Sequence, residues 1–225
     1  MSKTSRVKAV LCALLLLVPV LGHGVDLALG LRVGVGHTGF YGPDYERYKD
    51  RDGLTYSRSV LKVGFSGGVF ATLGFFPYLA LQPEVLFTIS GDSHGNDDSV
   101  RTANLMLLEI PVLVKGRMPL GSGTACIFAG PDFGIELGTG RLIVDEVGGG
   151  SKVEDDFDAG DVNSFQVGVL FGGGYDVPLG PGSFSLDLRY KFGITRIHSD
   201  SYISDNDVRQ SGAMITVGYS LTLLD

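Results

Sequence analysis

From Ser183 to Asp225 apolar and polar residues alternate one by one, and they do so in two runs. Phe184, Leu186, Leu188, Tyr190, Phe192 and Ile194 share one parity; Ser185, Asp187, Arg189, Lys191, Gly193 and Thr195 hold the other. After a polar gap, Ala213, Ile215, Val217, Tyr219, Leu221 and Leu223 oppose Met214, Thr216, Gly218, Ser220 and Thr222. A period of two puts one set on each face of a strand. Runs this long exceed the ordinary soluble strand and match the roughly 9–11 tilted residues that cross a bilayer. With bulky apolar groups on one face and charges on the other, the pattern predicts the wall of a transmembrane barrel.

The same matching along the chain predicts eight strands, at 26–37, 60–73, 79–90, 104–117, 125–138, 163–177, 183–195 and 211–224. In the first, Leu27, Leu29, Leu31, Val33 and Val35 face away from Gly30, Arg32, Gly34 and Gly36. In the fourth, Leu105, Leu107 and Leu113 share the inner parity with Glu109 and Lys115, so the lumen there is partly apolar. Connections alternate in length. Residues 38–59, 91–103, 139–162 and 196–210 are long and polar, whereas 74–78, 118–124 and 178–182 are short and rich in Gly and Pro. Short periplasmic turns facing long external loops are the asymmetry of outer-membrane barrels, and an even strand count leaves both chain ends on the periplasmic side.

Charge sharpens this division. The third long connection holds seven acidic residues, Asp145 to Asp161, against Arg141 and Lys152. The first is balanced and carries Tyr41, Tyr45, Tyr48 and Tyr56. On the inward parity stand Arg32, Lys62, Lys115, Arg189 and Lys191 against Glu84, Glu109, Asp132, Glu136, Asp176 and Asp187. An eight-strand barrel is just wide enough for side chains to fill it, and buried charge must be paired. These residues are therefore expected to form a structural ion-pair network plugging the lumen, which argues against a wide pore.

The start of the chain reads as an export signal. Lys3, Arg6 and Lys8 precede an uncharged run from Val10 to Leu21, followed by Gly22 and Gly24. That arrangement describes a secretory signal peptide over 1–24, leaving one barrel domain over 25–225. The remainder holds 15 basic and 25 acidic residues, a balance of −10, which argues against a nucleic-acid partner. Its one cysteine, Cys126, excludes an intramolecular disulfide.

Several short motifs reduce to structure. Gly34-Val35-Gly36-His37-Thr38-Gly39 fits a dinucleotide fingerprint, but a loop-like segment follows where a helix is required. Gly64-Phe65-Ser66-Gly67-Gly68 fits a nucleophile elbow, yet it lies within a strand. The acidic run Asp155 to Asp161 lacks calcium-loop spacing, because Gly160 stands where an oxygen ligand belongs. His37, His94 and His198 have no ligand spacing. No catalytic residue, cofactor or metal is expected.

Three segments in order carry a family resemblance: Leu81-Gln82-Pro83-Glu84 with Leu86, Leu108-Glu109-Ile110-Pro111 with Lys115, and Leu186-Asp187-Leu188-Arg189-Tyr190 with Gly193-Ile194-Thr195. Together with Gly130-Pro131, they resemble the PorT-like outer-membrane β-barrel domain family over nearly all of the exported part. The resemblance implies an eight-stranded barrel in a bacterial outer membrane. Thr216, Gly218, Leu221 and Leu223 also resemble the recognition signal of the barrel assembly machinery, although the chain has Leu224-Asp225 where that signal has a terminal aromatic.

The sequence thus predicts an all-β, eight-stranded antiparallel up-and-down transmembrane β-barrel with a filled polar lumen. Its expected partners are the outer-membrane lipid bilayer, the assembly machinery and an extracellular ligand at the external loops. The competing readings are a lipid-modifying enzyme using His37, Ser59 and His198, a soluble barrel enclosing a small ligand, and a narrow channel. The soluble reading requires apolar residues inside, whereas the inward parity is charged.

Overall fold

In the computed structural model the described residues are 26–43, 58–60, 63–95, 99–137, 141–146, 153–156, 164–196 and 207–224; side chains are described at 26–43, 63–91, 105–137, 164–196 and 207–224. The strands are β1 (Asp26–Tyr41), β2 (Arg58–Val60), β3 (Val63–Phe76), β4 (Leu79–Gly95), β5 (Ser99–Leu120), β6 (Gly123–Glu136), β7 (Arg141–Glu146), β8 (Val153–Asp156), β9 (Phe165–Leu179), β10 (Gly182–Gly193) and β11 (Arg209–Leu224). Eight of them form a continuous antiparallel ring in the order β4-β3-β1-β11-β10-β9-β6-β5, and the pairing of β4 with β5 closes it. Chain neighbours are spatial neighbours, and the first strand meets the last from Leu27↔Leu224 to Tyr41↔Arg209. Closure leaves the ring without an edge, the condition for strands to cross hydrocarbon.

The short connections are tighter than expected. Residues assigned to turns at Gly74–Phe76, Met118–Leu120 and Pro178–Leu179 are strand, leaving two-residue links at Pro77-Tyr78, Gly121-Ser122 and Gly180-Pro181. At Gly180 φ is +61°, and Pro181 fixes the next φ negative, which is the sign pattern of a II′ hairpin turn.

The long connections also differ from expectation. Those at 91–103 and 139–162 are not wholly loop: β4 and β5 extend to Gly95 and Ser99, β7 pairs with the first residues of β5, and β8 pairs with β7. On the other side β2 pairs with the end of β4. One side of the wall thus continues past the ring as a β2-β4-β5-β7-β8 sheet. The physical reason is that pairing satisfies backbone groups whether or not side chains alternate, so polar sequence did not mark where the ladder stops. At the opposite side β10 stops at Gly193, before the expected end at 195.

Candidate functional site: the plugged lumen and the lipid-facing wall

The outer face is apolar around the ring. Leu31, Phe65, Val114, Ile127, Leu188 and Ile215 are exposed, with Ile127 at 73%. Aromatic residues gather toward both ends of this band. At the turn end, Tyr175 donates its hydroxyl to the Leu120 carbonyl at 2.5 Å, and Tyr219 donates to that of Leu179 at 3.0 Å. At the other end Tyr41 donates to the Gly193 carbonyl at 2.5 Å while its ring packs 5.0 Å from Phe192. Amphipathic rings with satisfied hydroxyls suit the two interfaces of a bilayer.

Inside, charged residues meet in groups. Glu84 on β4 accepts from Arg32 on β1 and from both terminal nitrogens of Arg189 on β10, at 2.8 and 3.0 Å. Gln82 donates to the same carboxylate at 2.6 Å. Asp187 lies 2.9 Å from Arg32 and 3.2 Å from Arg189, completing a neutral square of two cations and two anions. Toward the external end, Lys191 pairs with Glu109 and lies 2.7 Å from Asp132, while Thr88 donates to Glu109 at 2.5 Å. Toward the turns, Lys115 meets Asp176 at 2.8 Å. Side chains of the square are at most 4% exposed, so each charge depends on its partners rather than on water.

Of the sequence-predicted lumen residues, Arg32, Glu84, Glu109, Lys115, Asp132, Asp176, Asp187, Arg189 and Lys191 come together in these groups. Glu136 ends β6 opposite Leu107. Lys62 lies outside the described residues. Two members were missed: Arg117 lies 3.2 Å from Asp26 at the turn-side mouth, and its Nη2 donates to the Phe76 carbonyl at 2.8 Å. Arg117 shares the parity of Glu109 and Lys115, which was the available signal.

Leu105, Leu107 and Leu113 are buried, as their inner parity predicts, but the lumen is less polar than expected elsewhere: Phe70, Leu86, Phe128 and Leu170 also point inward and are buried. Phe70 lies against the Arg32 guanidinium, 4.5 Å to the ring centroid, and Phe128 against that of Arg189 at 5.2 Å. Each arginine of the square thus has an aromatic ring against its guanidinium. Inward glycines make this possible: a Cβ on Gly30 would meet the Phe70 ring at 2.5 Å, and one on Gly172 would meet Phe128 at 2.8 Å. A pocket of about 30 Å³ in the upper lumen is bordered by Thr88, Glu109, Lys191, Gln210 and Thr216. That is room for one or two waters.

Gly34 to Gly39 lie within β1 and Gly64 to Gly68 within β3, where Ser66 interacts with Thr88 at 3.1 Å. His37 lies on the outward parity of β1, exposed and facing away from the lumen. His198 lies outside the described residues, as do the side chains of Ser59, His94 and the Asp155 to Asp161 run. Thr216 and Gly218 face inward on β11, Leu221 and Leu223 outward.

A closed eight-stranded ring with an apolar exterior and a charged, filled interior defines an integral outer-membrane barrel. The chain belongs to the outer membrane protein beta-barrel domain family, whose model matches residues 25–199. It is a protein of the bacterial outer membrane. Among solved structures it is similar to OprG from Pseudomonas aeruginosa (13% identity, covering 90% of this chain and 97% of that one, TM-score 0.48). It is similar also to Neisserial surface protein A (15% identity, 89% and 100% covered, TM-score 0.45) and to Ail of Yersinia pestis (11% identity, 86% and 98% covered, TM-score 0.38). No curated protein matches the chain.

Proposed function

We propose that the barrel is a non-enzymatic anchor and that its external segments, 38–59, 91–103, 139–162 and 196–210, carry recognition of an extracellular ligand. The observation that carries this reading is the lumen: among the described residues, paired charges and packed rings occupy it, and the pocket between Thr88, Glu109, Lys191, Gln210 and Thr216 holds only about 30 Å³. Such an interior suits a rigid plug better than transport or chemistry. The sheet extension β2-β4-β5-β7-β8 supports the same reading, because it offers a scaffold beyond the wall on which loops can be held.

Within its family we assign the chain to the PorT-like branch. Supporting this, Glu84, Glu109 and the Asp187–Arg189 pair, one from each of the three motif segments, all belong to the lumen groups. In this reading residues 1–24 direct export and are removed. Thr216, Gly218, Leu221 and Leu223 serve the assembly machinery, their exposed apolar pair on one face and small or polar pair on the other.

Photo-crosslinking on intact cells, from probes placed within 139–162, tests the recognition reading. A discrete adduct that disappears when 139–162 is replaced by a short Gly-Ser turn is expected. Planar-bilayer recording tests the anchor reading. A baseline current is expected, and a stable open conductance from the purified barrel would overturn the plug.

A further inference from the structure

The lipid-facing wall carries an open depression of about 590 Å³ across β11, β1, β3 and β4. Its border is formed by Leu29, Leu31, Val69, Val85, Tyr219 and Leu221. The register explains it. Tyr219, Leu31, Val69 and Val85 stand side by side as a row of large residues. In the next row Leu221 and Leu29 are followed by Ala71, with Pro83 on the adjoining strand, so the row falls from long to short side chains. Gly30, Phe70 and Glu84 alternate with these residues and supply backbone beneath the hollow; the Glu84 carboxylate itself is turned inward to the arginines.

The depression lies in the turn-side half of the wall. Leu29 is three residues from Asp26 at the start of β1, and Leu221 is three from Leu224 at the end of β11. With the short turns periplasmic, that half faces the phospholipid leaflet. We propose that this depression seats one acyl chain of a phospholipid of the periplasmic leaflet, held longer than ordinary boundary lipid. Between two apolar phases no hydrophobic force discriminates, so affinity must come from packing. A hollow left open in hydrocarbon forfeits the contacts of every atom lining it, and an acyl chain restores them. The volume falls within the ~300–1,000 Å³ of ligand sites. Nothing polar competes: the Tyr219 hydroxyl is committed to the Leu179 carbonyl.

The test uses the full protein in vesicles of phosphatidylethanolamine and phosphatidylglycerol, doped with a phospholipid carrying a diazirine midway along one acyl chain. After irradiation, adducts are mapped by peptide mass spectrometry. Adducts are expected to concentrate around residues 29–31, 69–71 and 219–221, several-fold above the equally apolar surface at Ile127 and Leu186 to Leu188. Filling the hollow with Ala71→Phe, in protein whose folding is verified by heat-modifiable mobility, is expected to lower them to that level. Uniform labelling of the wild-type wall overturns the proposal whether or not the variant folds, as does undiminished labelling in folded Ala71→Phe.

Discussion

Glu84 sits without solvent among four donated hydrogen bonds, from Arg32, Gln82 and twice from Arg189. Its removal leaves two guanidinium groups with Asp187 alone, and breaking a buried pair this way costs about 3–5 kcal/mol. Glu84→Gln is therefore expected to shift urea unfolding in lipid vesicles by that order, with the double variant Glu84→Gln/Arg32→Gln less unstable than the sum of the two singles. The chain has no Trp, so gel mobility is the natural readout. Gly30→Ala is a second residue-scale test. Its Cβ would press on the Phe70 ring and on the Tyr219 carbonyl at 2.6 Å, an overpacking expected to cost about 1–3 kcal/mol. Parity made the charged members of the lumen legible in the sequence, because a charge on an otherwise apolar strand declares its face. It did not reveal Phe70 or Phe128. An aromatic residue on either parity reads as wall, and only the three-dimensional match of ring, arginine and glycine gives these two an interior place.

At the scale of the strand, the pairing of β1 with β11 turns a sheet into a barrel. Val33 stands opposite Val217 on the lipid face, whereas Thr216 points to the lumen. In a Cys126→Ser background, Val33→Cys with Val217→Cys is expected to form a disulfide on mild oxidation, since directly opposed residues lie within bridging reach. Val33→Cys with Thr216→Cys is expected not to, because a one-residue step reverses the face. Strand order and facing were readable because alternation persists through the membrane layer. Strand ends were not: β4 and β5 run beyond the expected boundaries, and β7 and β8 form inside a segment whose composition is that of an acidic loop. Outside the bilayer neither face need be apolar, so pairing there leaves no period in the sequence.

At the scale of the whole molecule, exterior and interior have exchanged the roles they hold in a soluble protein. Exposed Leu, Val, Ile and Phe cover the outside, and the buried polar set includes Arg32, Glu84, Asp132, Asp187 and Arg189. That inversion was the most legible property of the chain, and it separates a membrane barrel from a soluble ligand-binding one. Whether the external segments recognise a ligand was not legible, because recognition depends on loop geometry that periodicity does not encode. That the apolar parity faces lipid is checked by single-cysteine labelling. Leu188→Cys and Val217→Cys, each in a Cys126→Ser background, are treated with a charged, water-soluble maleimide in native outer membranes and again after denaturation. Negligible reaction is expected in the native membrane and full reaction once unfolded; efficient native labelling at both positions would mean that this face meets water rather than lipid.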